Sequence, residues 1–391
     1  MRMTTTPGAV SFPRPVTTDG QPDPELRRLV AQHPVLRVTG PGGAPGWLVG
    51  GHDAVLEVLS DPARFTNVID PSMTNLRANM AVQDPPEHTR LRKLAAQAFT
   101  ARRIRAFAPD VESLVGSLLD GMEAAGPPAD LVSSLASPLP VGVICRILGV
   151  PQDDEADLQR WTSIFTDMTT YSAEEIAESV DQMNAYMNRL VEKRRSDLGE
   201  DVLSDLIRAR DGSDALSEEE LVATMWLLLV AGCETTSKAI TRGVMTLSSS
   251  GQWPLPAGED VVDKVVEEVL RHQVPIDTAL FRWAKSETTL GGVEIHAGDQ
   301  LLVSVHLANY DGEVRRDPQR FDPGRSDQGH LSFGHGVHFC LGAALARLEL
   351  TMVFQALAAR FPSLRLAVSL DQVTWSVGSM LNAPTSLRIT W

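Results

Sequence analysis

Apolar residues along this chain recur mostly at the three- and four-residue spacing of helices, with short alternating stretches between them. The longest helical pattern covers Ser217–Ser248. At 1.5 Å per residue it would span roughly 45 Å, enough to cross the whole molecule. Ser217 and Glu220 have the spacing of a capping box. A second strong pattern runs over Leu341–Phe361, where Leu341, Leu345, Leu348 and Met352 share one face. Pro24–His33, His52–Leu59 and Asp260–His272 also read as helices, and Asp110–Asp205 is mostly helical, with breaks at Pro127-Pro128, Pro138 and Pro151. Val35–Gly51 alternates around Gly and Pro turns and predicts a β-hairpin. Leu290–Val305 and Leu364–Trp391 predict further strands, the latter with a turn near Ser379–Pro384. Phe65–Asp84, with Met73, Leu76 and Met80, has no clear period and reads as a long loop. Residues 1–22 are rich in Thr, Pro and Gly and predict a flexible tail, which leaves 23–391 as one domain, mainly α with minor β.

Composition narrows the function. The net charge of −15 disfavours nucleic acid as a partner. The longest apolar run, Met225–Ala231, is far shorter than the ~20 residues of a membrane span. Three widely spaced cysteines argue against a disulfide framework and for a reducing, cytoplasmic setting.

Two stretches break local rules. Leu229–Thr236 puts Gly232, Glu234 and Thr235 inside the apolar belt of the longest helix, where burying them is unfavourable unless they are hydrogen-bonded. Phe333–Gly342 sets Cys340 in a glycine-punctuated loop just before a helix. The positive end of that helix is expected to lower the thiol pKa, which suits a metal ligand or a nucleophile. His335, His338 and Cys340 are close enough in sequence for zinc, but zinc leaves Gly334, Gly336 and Gly342 unexplained. Cys145 and Cys233 read as small buried hydrophobes.

The Phe333–Gly342 stretch resembles the cysteine-ligand loop of the cytochrome P450 family, FGxGxHxCxG. Three more stretches resemble that family in the same order: Asp84–Arg92 its third-helix signature, Ala231–Thr236 its AGx[DE]TT motif, and Glu268–Arg271 its ExxR pair. The resemblance implies a single-domain P450 fold with heme b between the long central helix and the helix after the cysteine loop. It implies Cys340 as the iron ligand, with Phe333, Gly334, Gly342 and Ala231 against the cofactor. His88, Arg92, Arg282 and His338 would then hold the heme propionates, and Glu234 and Thr235 would activate dioxygen and relay protons. Glu268 and Arg271 would form a buried structural group with Arg320. The loop Phe65–Asp84 would cap the substrate, and the region around Met168, Tyr171, Met183 and Tyr186 would roof the site. His296 stands where the family usually has proline, and Tyr310 where it usually has arginine.

The implied reaction is oxygen insertion, hydroxylation or epoxidation, into an apolar or aromatic small molecule of secondary metabolism. Alternatives are oxidative coupling without oxygen insertion and a heme-bearing recruitment module without turnover. No flavin or iron–sulfur motif is visible, so electrons must come from outside. Arg90–Arg105 carries Arg90, Arg92, Lys93, Arg102, Arg103 and Arg105 and no acid, which on a negative chain suits an acidic ferredoxin, itself served by a ferredoxin reductase.

Overall fold

The computed structural model describes residues 10–68, 78–167, 170–210, 216–255, 258–276, 280–327, 329–376 and 381–391. Met73, Leu76, Met168 and part of the turn at 379–384 lie outside them. In chain order come strand β1 (Val10–Ser11), helix α1 (Pro24–Gln32), strands β2 (Val35–Thr39) and β3 (Pro45–Val49), helix α2 (His52–Ser60) and strand β4 (Phe65–Thr66). Helices α3 (Glu87–Ala96), α4 (Ala101–Ala106) and α5 (Ala108–Ala125) lead through strand β5 (Ala129–Asp130) to α6 (Pro138–Leu148), α7 (Glu155–Thr166) and α8 (Ala173–Arg195). Then follow α9 (Val202–Arg210), α10 (Glu218–Ser249) and α11 (Glu259–His272). Strands β6 (Leu280–Ala284), β7 (Thr288–Leu290), β8 (Val293–Ile295) and β9 (Gln300–Val303) precede α12 (Val305–Asn309) and α13 (Ala343–Arg360), and strands β10 (Arg365–Leu366) and β11 (Arg388–Thr390) close the chain.

The main sheet has the order β1-β2-β3-β9-β6-β4. Its centre is the expected hairpin, β2 antiparallel to β3 with Val35 opposite Val49. The expected tail is corrected for residues 10–22. Val10 pairs in parallel register with Val38, and Phe12 is buried among Leu26, Val30 and Leu36. Two apolar side chains in a run of Thr, Pro and Gly are too few to give a period, yet enough to seat the segment.

Helix α10 organises the rest. Its Ser217 hydroxyl accepts the Glu220 N–H at 3.1 Å, and the Glu220 carboxylate accepts the Ser217 N–H at 2.9 Å, which closes the predicted capping box. Beyond Cys233 the helix is buried almost continuously, against α6, α8, α11 and α13. At Gly243 an added Cβ would come within 2.6 Å of the Phe354 ring on α13 and 3.0 Å of Val269 on α11, so close packing of three helices requires glycine there. The neighbouring Arg242 is fully buried. It donates to Gln273 Oε1 at 3.0 Å, the Asn382 carbonyl at 2.8 Å and the Gly20 carbonyl at 2.5 Å, and its guanidinium lies over Trp375.

A second buried charge group lies at the end of α11. Arg271 donates to both oxygens of Glu268, at 2.8 and 2.9 Å, and to the carbonyls of Asn309 and Pro318. The third side chain is Arg325, whose Nε donates to Glu268 at 3.0 Å. Arg320, expected in that place, is a correction: it contributes only its carbonyl, which accepts from Arg271 and Arg325, while its side chain is 72% exposed beside Asp322. Tyr310 lies under the Arg271 guanidinium and donates its hydroxyl to the His272 carbonyl. From here the order passes on through Asn309. Its side chain donates to the Arg271 carbonyl and to Ser332 Oγ, and accepts the Leu331 N–H. Removing one partner of a buried charge group leaves the others uncompensated. We expect Arg325→Ala to destabilise by about 3 kcal/mol, and Arg320→Ala to stay within about 0.5 kcal/mol. Urea unfolding of both variants checks this, and equal losses would count against the Arg325 assignment.

Glu349 on α13 is 2% exposed, and its Oε2 has no hydrogen-bond partner. Burial pushes its carboxyl up to about 8, from an ordinary 4.5. The folded chain therefore holds this proton more tightly than the unfolded chain. Its contribution is most favourable below the ordinary carboxylate value and is lost as pH rises through the folded value. Glu349→Gln should flatten the fall in melting temperature between about pH 5 and 8. An unchanged slope in a pH series of thermal melts would show that the side chain finds a partner.

Candidate active site

The loop before α13 is shaped by backbone. Gly334 and Gly336 adopt φ of 70° and 69°, and a Cβ on Gly336 would lie 2.3 Å from the Leu59 carbonyl oxygen, so α2 passes directly against the loop. The Cys340 N–H donates to the Phe333 carbonyl at 2.8 Å, and Gly334 N–H to Leu331 at 2.8 Å. Gly342 is the N-cap of α13, which places Cys340 ahead of the first helical residue rather than on it. Cys340 is accessible, yet closely surrounded. That desolvation pushes its thiol above its usual value, against the Gly342 N–H and the charges of Arg92 and Arg347, which pull it down. The expected lowering is thus corrected for the chain by itself: burial outweighs the helix end and both arginines. Among the described residues no three His, Cys, Asp or Glu side chains converge to hold a metal ion.

Beside the loop the structure brings together four cationic candidates from three parts of the chain. The rings of His88 on α3 and His338 lie 4.0 Å apart. His88 Nδ1 and His338 Nε2 are buried without a hydrogen-bond partner. Arg282 on β6 donates to Asn67 Oδ1 and to the Phe281 carbonyl, both at 2.7 Å, and Arg92 donates to the Phe339 carbonyl at 2.5 Å. Burial, then the charges of His88 and Arg282, pushes His338 down to about 3. Burial pushes Arg282 down to about 10, and burial followed by Arg92 lowers His88. The nearby carboxylate Asp84 is taken up by Lys285 at 2.8 Å and Thr66 at 2.7 Å. A set of buried donors that repel one another suits an anionic group able to accept from them.

In the middle of α10, Ala231 is exposed although its neighbours are mostly buried. The Thr235 hydroxyl donates to the Ala231 carbonyl at 2.6 Å. Glu234 is 5% exposed, so it does not begin a solvent-facing half of the helix. Its Oε1 accepts from Ser163 Oγ of α7 at 2.8 Å, and its Oε2 lies 3.3 Å from Lys238 Nζ. Both partners escaped sequence reasoning. Lys238 had a signal, its i+4 spacing from Glu234; Ser163 had none. Cys233 is buried and its thiol is pushed well up, and Cys145 rises to about 12, so neither is reactive. Met183 is core.

The basic run is partly neutralised. Arg90 pairs with Glu220 and Arg103 with Asp205, which leaves Lys93, Arg102 and Arg105 exposed.

A mainly helical fold that presents an accessible cysteine beside buried cationic donors, with an acid and a hydroxyl in the central helix, defines a class of cofactor-dependent oxidoreductase. The cytochrome P450 family profile matches residues 152–250 and 260–373. The chain is 41% identical over 393 aligned residues to nocardicin C N-oxygenase of Nocardia uniformis subsp. tsuyamanensis, covering 97% of this chain and 98% of that protein. It is 41% identical over 383 aligned residues to the cytochrome P450 monooxygenase PikC of Streptomyces venezuelae, covering 95% and 91%. The crystal structure of LnmA, a cytochrome P450 hydroxylase of the leinamycin pathway of Streptomyces atroolivaceus S-140, superposes with a TM-score of 0.88 at 38% identity, covering 98% of this chain and 100% of that one. The chain belongs to the cytochrome P450 family and is a monooxygenase of the bacterial type. Family membership implies heme, and the residues fit it: an accessible thiol, with two buried imidazole nitrogens free to serve carboxylates.

Proposed function

We propose that Cys340 ligates the iron of heme b, and that the enzyme uses dioxygen and two externally supplied electrons to hydroxylate or epoxidise an apolar or aromatic secondary metabolite. The names of its relatives, which act on nocardicin C and in leinamycin biosynthesis, support that substrate class. The observation that carries the reading is the polar pair Glu234–Thr235 beside exposed Ala231, in a helix otherwise given over to packing. A heme-bearing module without turnover would have no use for a buried carboxylate in that position.

His88, Arg92, Arg282 and His338 would hold the heme carboxylates by charge-assisted hydrogen bonds, which offsets the desolvation of all four. Phe333, Gly334 and Gly342 fix the cysteine loop, and Gly342 N–H supports the sulfur in its charged form. Bound heme supplies the oxidising chemistry, and a thiolate ligand favours O–O cleavage. The small side chain of Ala231 leaves room over the helix. The Thr235 hydroxyl can turn from the Ala231 carbonyl to a ligand on that side, and Glu234 can replace the proton it gives. With carbon monoxide the reduced protein should show the red-shifted Soret band of thiolate ligation, and Cys340→Ser should abolish it. Persistence of that band in the variant would sink the assignment.

The electron donor we propose is an acidic ferredoxin, with its reductase, in the cytoplasm. Exposed Lys93, Arg102 and Arg105 form a local positive field on a chain of net charge −15. Charge reversal at Arg102 and Arg105 should slow the first reduction several-fold, and added salt should slow the wild type, because screening shortens the reach of the field to ~8 Å at physiological ionic strength. Stopped-flow reduction rates that ignore both changes would place docking elsewhere.

A further inference from the structure

The cysteine loop has a charged neighbour that stands apart from the four cationic donors. Among the described residues, the charges that reach the Cys340 thiol are those of Arg92 and Arg347. Arg92 belongs with His88 and Arg282, where a heme carboxylate would neutralise it. Arg347 has no such partner in view. Its side chain runs back toward the start of α13, where Nη1 lies 3.5 Å from the Ala343 carbonyl oxygen. The guanidinium covers the Phe333 ring, 4.6 Å from its centroid. Phe333 is also the residue whose carbonyl accepts the Cys340 N–H at 2.8 Å. The cation is thus fixed against the segment that holds the sulfur.

Glu267 of α11 aligns that guanidinium from its other side. Arg347 Nε donates to Oε1 at 2.6 Å and Nη2 to Oε2 at 3.0 Å, the two-pronged geometry that arginine forms with a carboxylate. His330 Nε2 lies 3.2 Å from Glu267 Oε2, and its ring centroid is 5.7 Å from that of Phe333. Burial pushes the Glu267 carboxyl up, but His330 and Arg347 outweigh it and hold the group down to about 2, so it is ionised at neutral pH. The pair is directional, because its positive member reaches the thiol and Glu267 does not. A partly exposed ion pair contributes little to stability; its field on the sulfur is the larger consequence.

We infer that Arg347 raises the reduction potential of the bound iron through the sulfur of Cys340, and that Glu267 is the positioning residue that keeps the guanidinium over Phe333. The inference rests on the reading of Cys340 as the iron ligand. Reduction adds one electron, supplied by the external donor, and hence one negative charge to the iron and its sulfur ligand. A fixed cation beside them favours the reduced state, and a covered, low-dielectric setting enlarges the effect.

The test is a potentiometric titration of the holoenzyme with dithionite and mediator dyes, without a partner protein, so that docking plays no part. Arg347→Gln should lower the equilibrium constant for reduction about tenfold, a fall of ~59 mV for one electron. Arg347→Lys keeps the charge but not the two-pronged contact, and should fall by less. Glu267→Ala should also lower the potential, because the guanidinium loses its alignment; a rise would show that Glu267 acts only by its own charge and would overturn the positioning role. Arg316→Gln, at an arginine 96% exposed, controls for net charge and should leave the potential unchanged. In the reduced carbon monoxide complex of Arg347→Gln the C–O stretch should fall, since more of the sulfur's charge reaches the iron. Wild-type potential and stretch in that variant, with the thiolate Soret band retained, would overturn the inference. So would a loss of heme with no shift in the fraction that keeps it, the mark of a merely structural role. A wild type that lacks the thiolate band would overturn the ligand reading itself, and this inference with it.

Discussion

The carboxylate of Glu268, shut away from water between Arg271 and Arg325, is the interaction on which the active region rests. An ionised carboxylate buried alone is costly, and two arginines with a backbone N–H from Asp322 satisfy the one on Glu268. The benefit is geometric more than energetic. The arginines spend most of their remaining donors on the carbonyl that ends α12, Asn309, and on those of Arg316, Pro318 and Arg320 in the irregular stretch beyond it. Asn309 then carries the order from Arg271 to Leu331 and Ser332, two hydrogen bonds upstream of the loop that presents Cys340. A loop rich in glycine has little intrinsic preference, so its shape has to be imposed from such a fixed point.

A second theme is the use of frustration. His88, His338, Arg92 and Arg282 are gathered where their charged forms are penalised by burial, and the imidazoles by the neighbouring guanidiniums as well. Asp84 is close enough to matter but is already committed to Lys285 and Thr66. Such a cluster lowers the stability of the chain alone and would return it to any anion that accepts from these donors, which would link anion binding to folding through the same four side chains.

Long periodic elements were legible because they repeat a signal many times. The central helix, with its capping box, and the hairpin around Gly40–Gly43 match their expected bounds within a residue or two. The charge pair Glu268–Arg271 was legible through its spacing. Its third member was not, because Arg320 and Arg325 each stand two residues after a proline, Pro318 and Pro323, and only the turn between them decides which side chain points inward. The segment at Val10–Phe12 was too short to show periodicity. The thiol of Cys340 was misjudged because helix ends are visible in sequence and desolvation is not. Ser163, seventy-one residues before Glu234, could be found only in three dimensions.

Arg242 joins parts of the molecule that the chain keeps farthest apart. One guanidinium holds the Gly20 carbonyl near the start of the chain and the Asn382 carbonyl near its end, both on the central helix. Mechanically, the two termini share a single rivet. A pull on either end would be borne first by strands β1 and β11, which lie outside Gly20 and Asn382, and only then by the hydrogen bonds of Arg242. Under force, detachment of either strand would pass the load to one side chain of the central helix that both ends share.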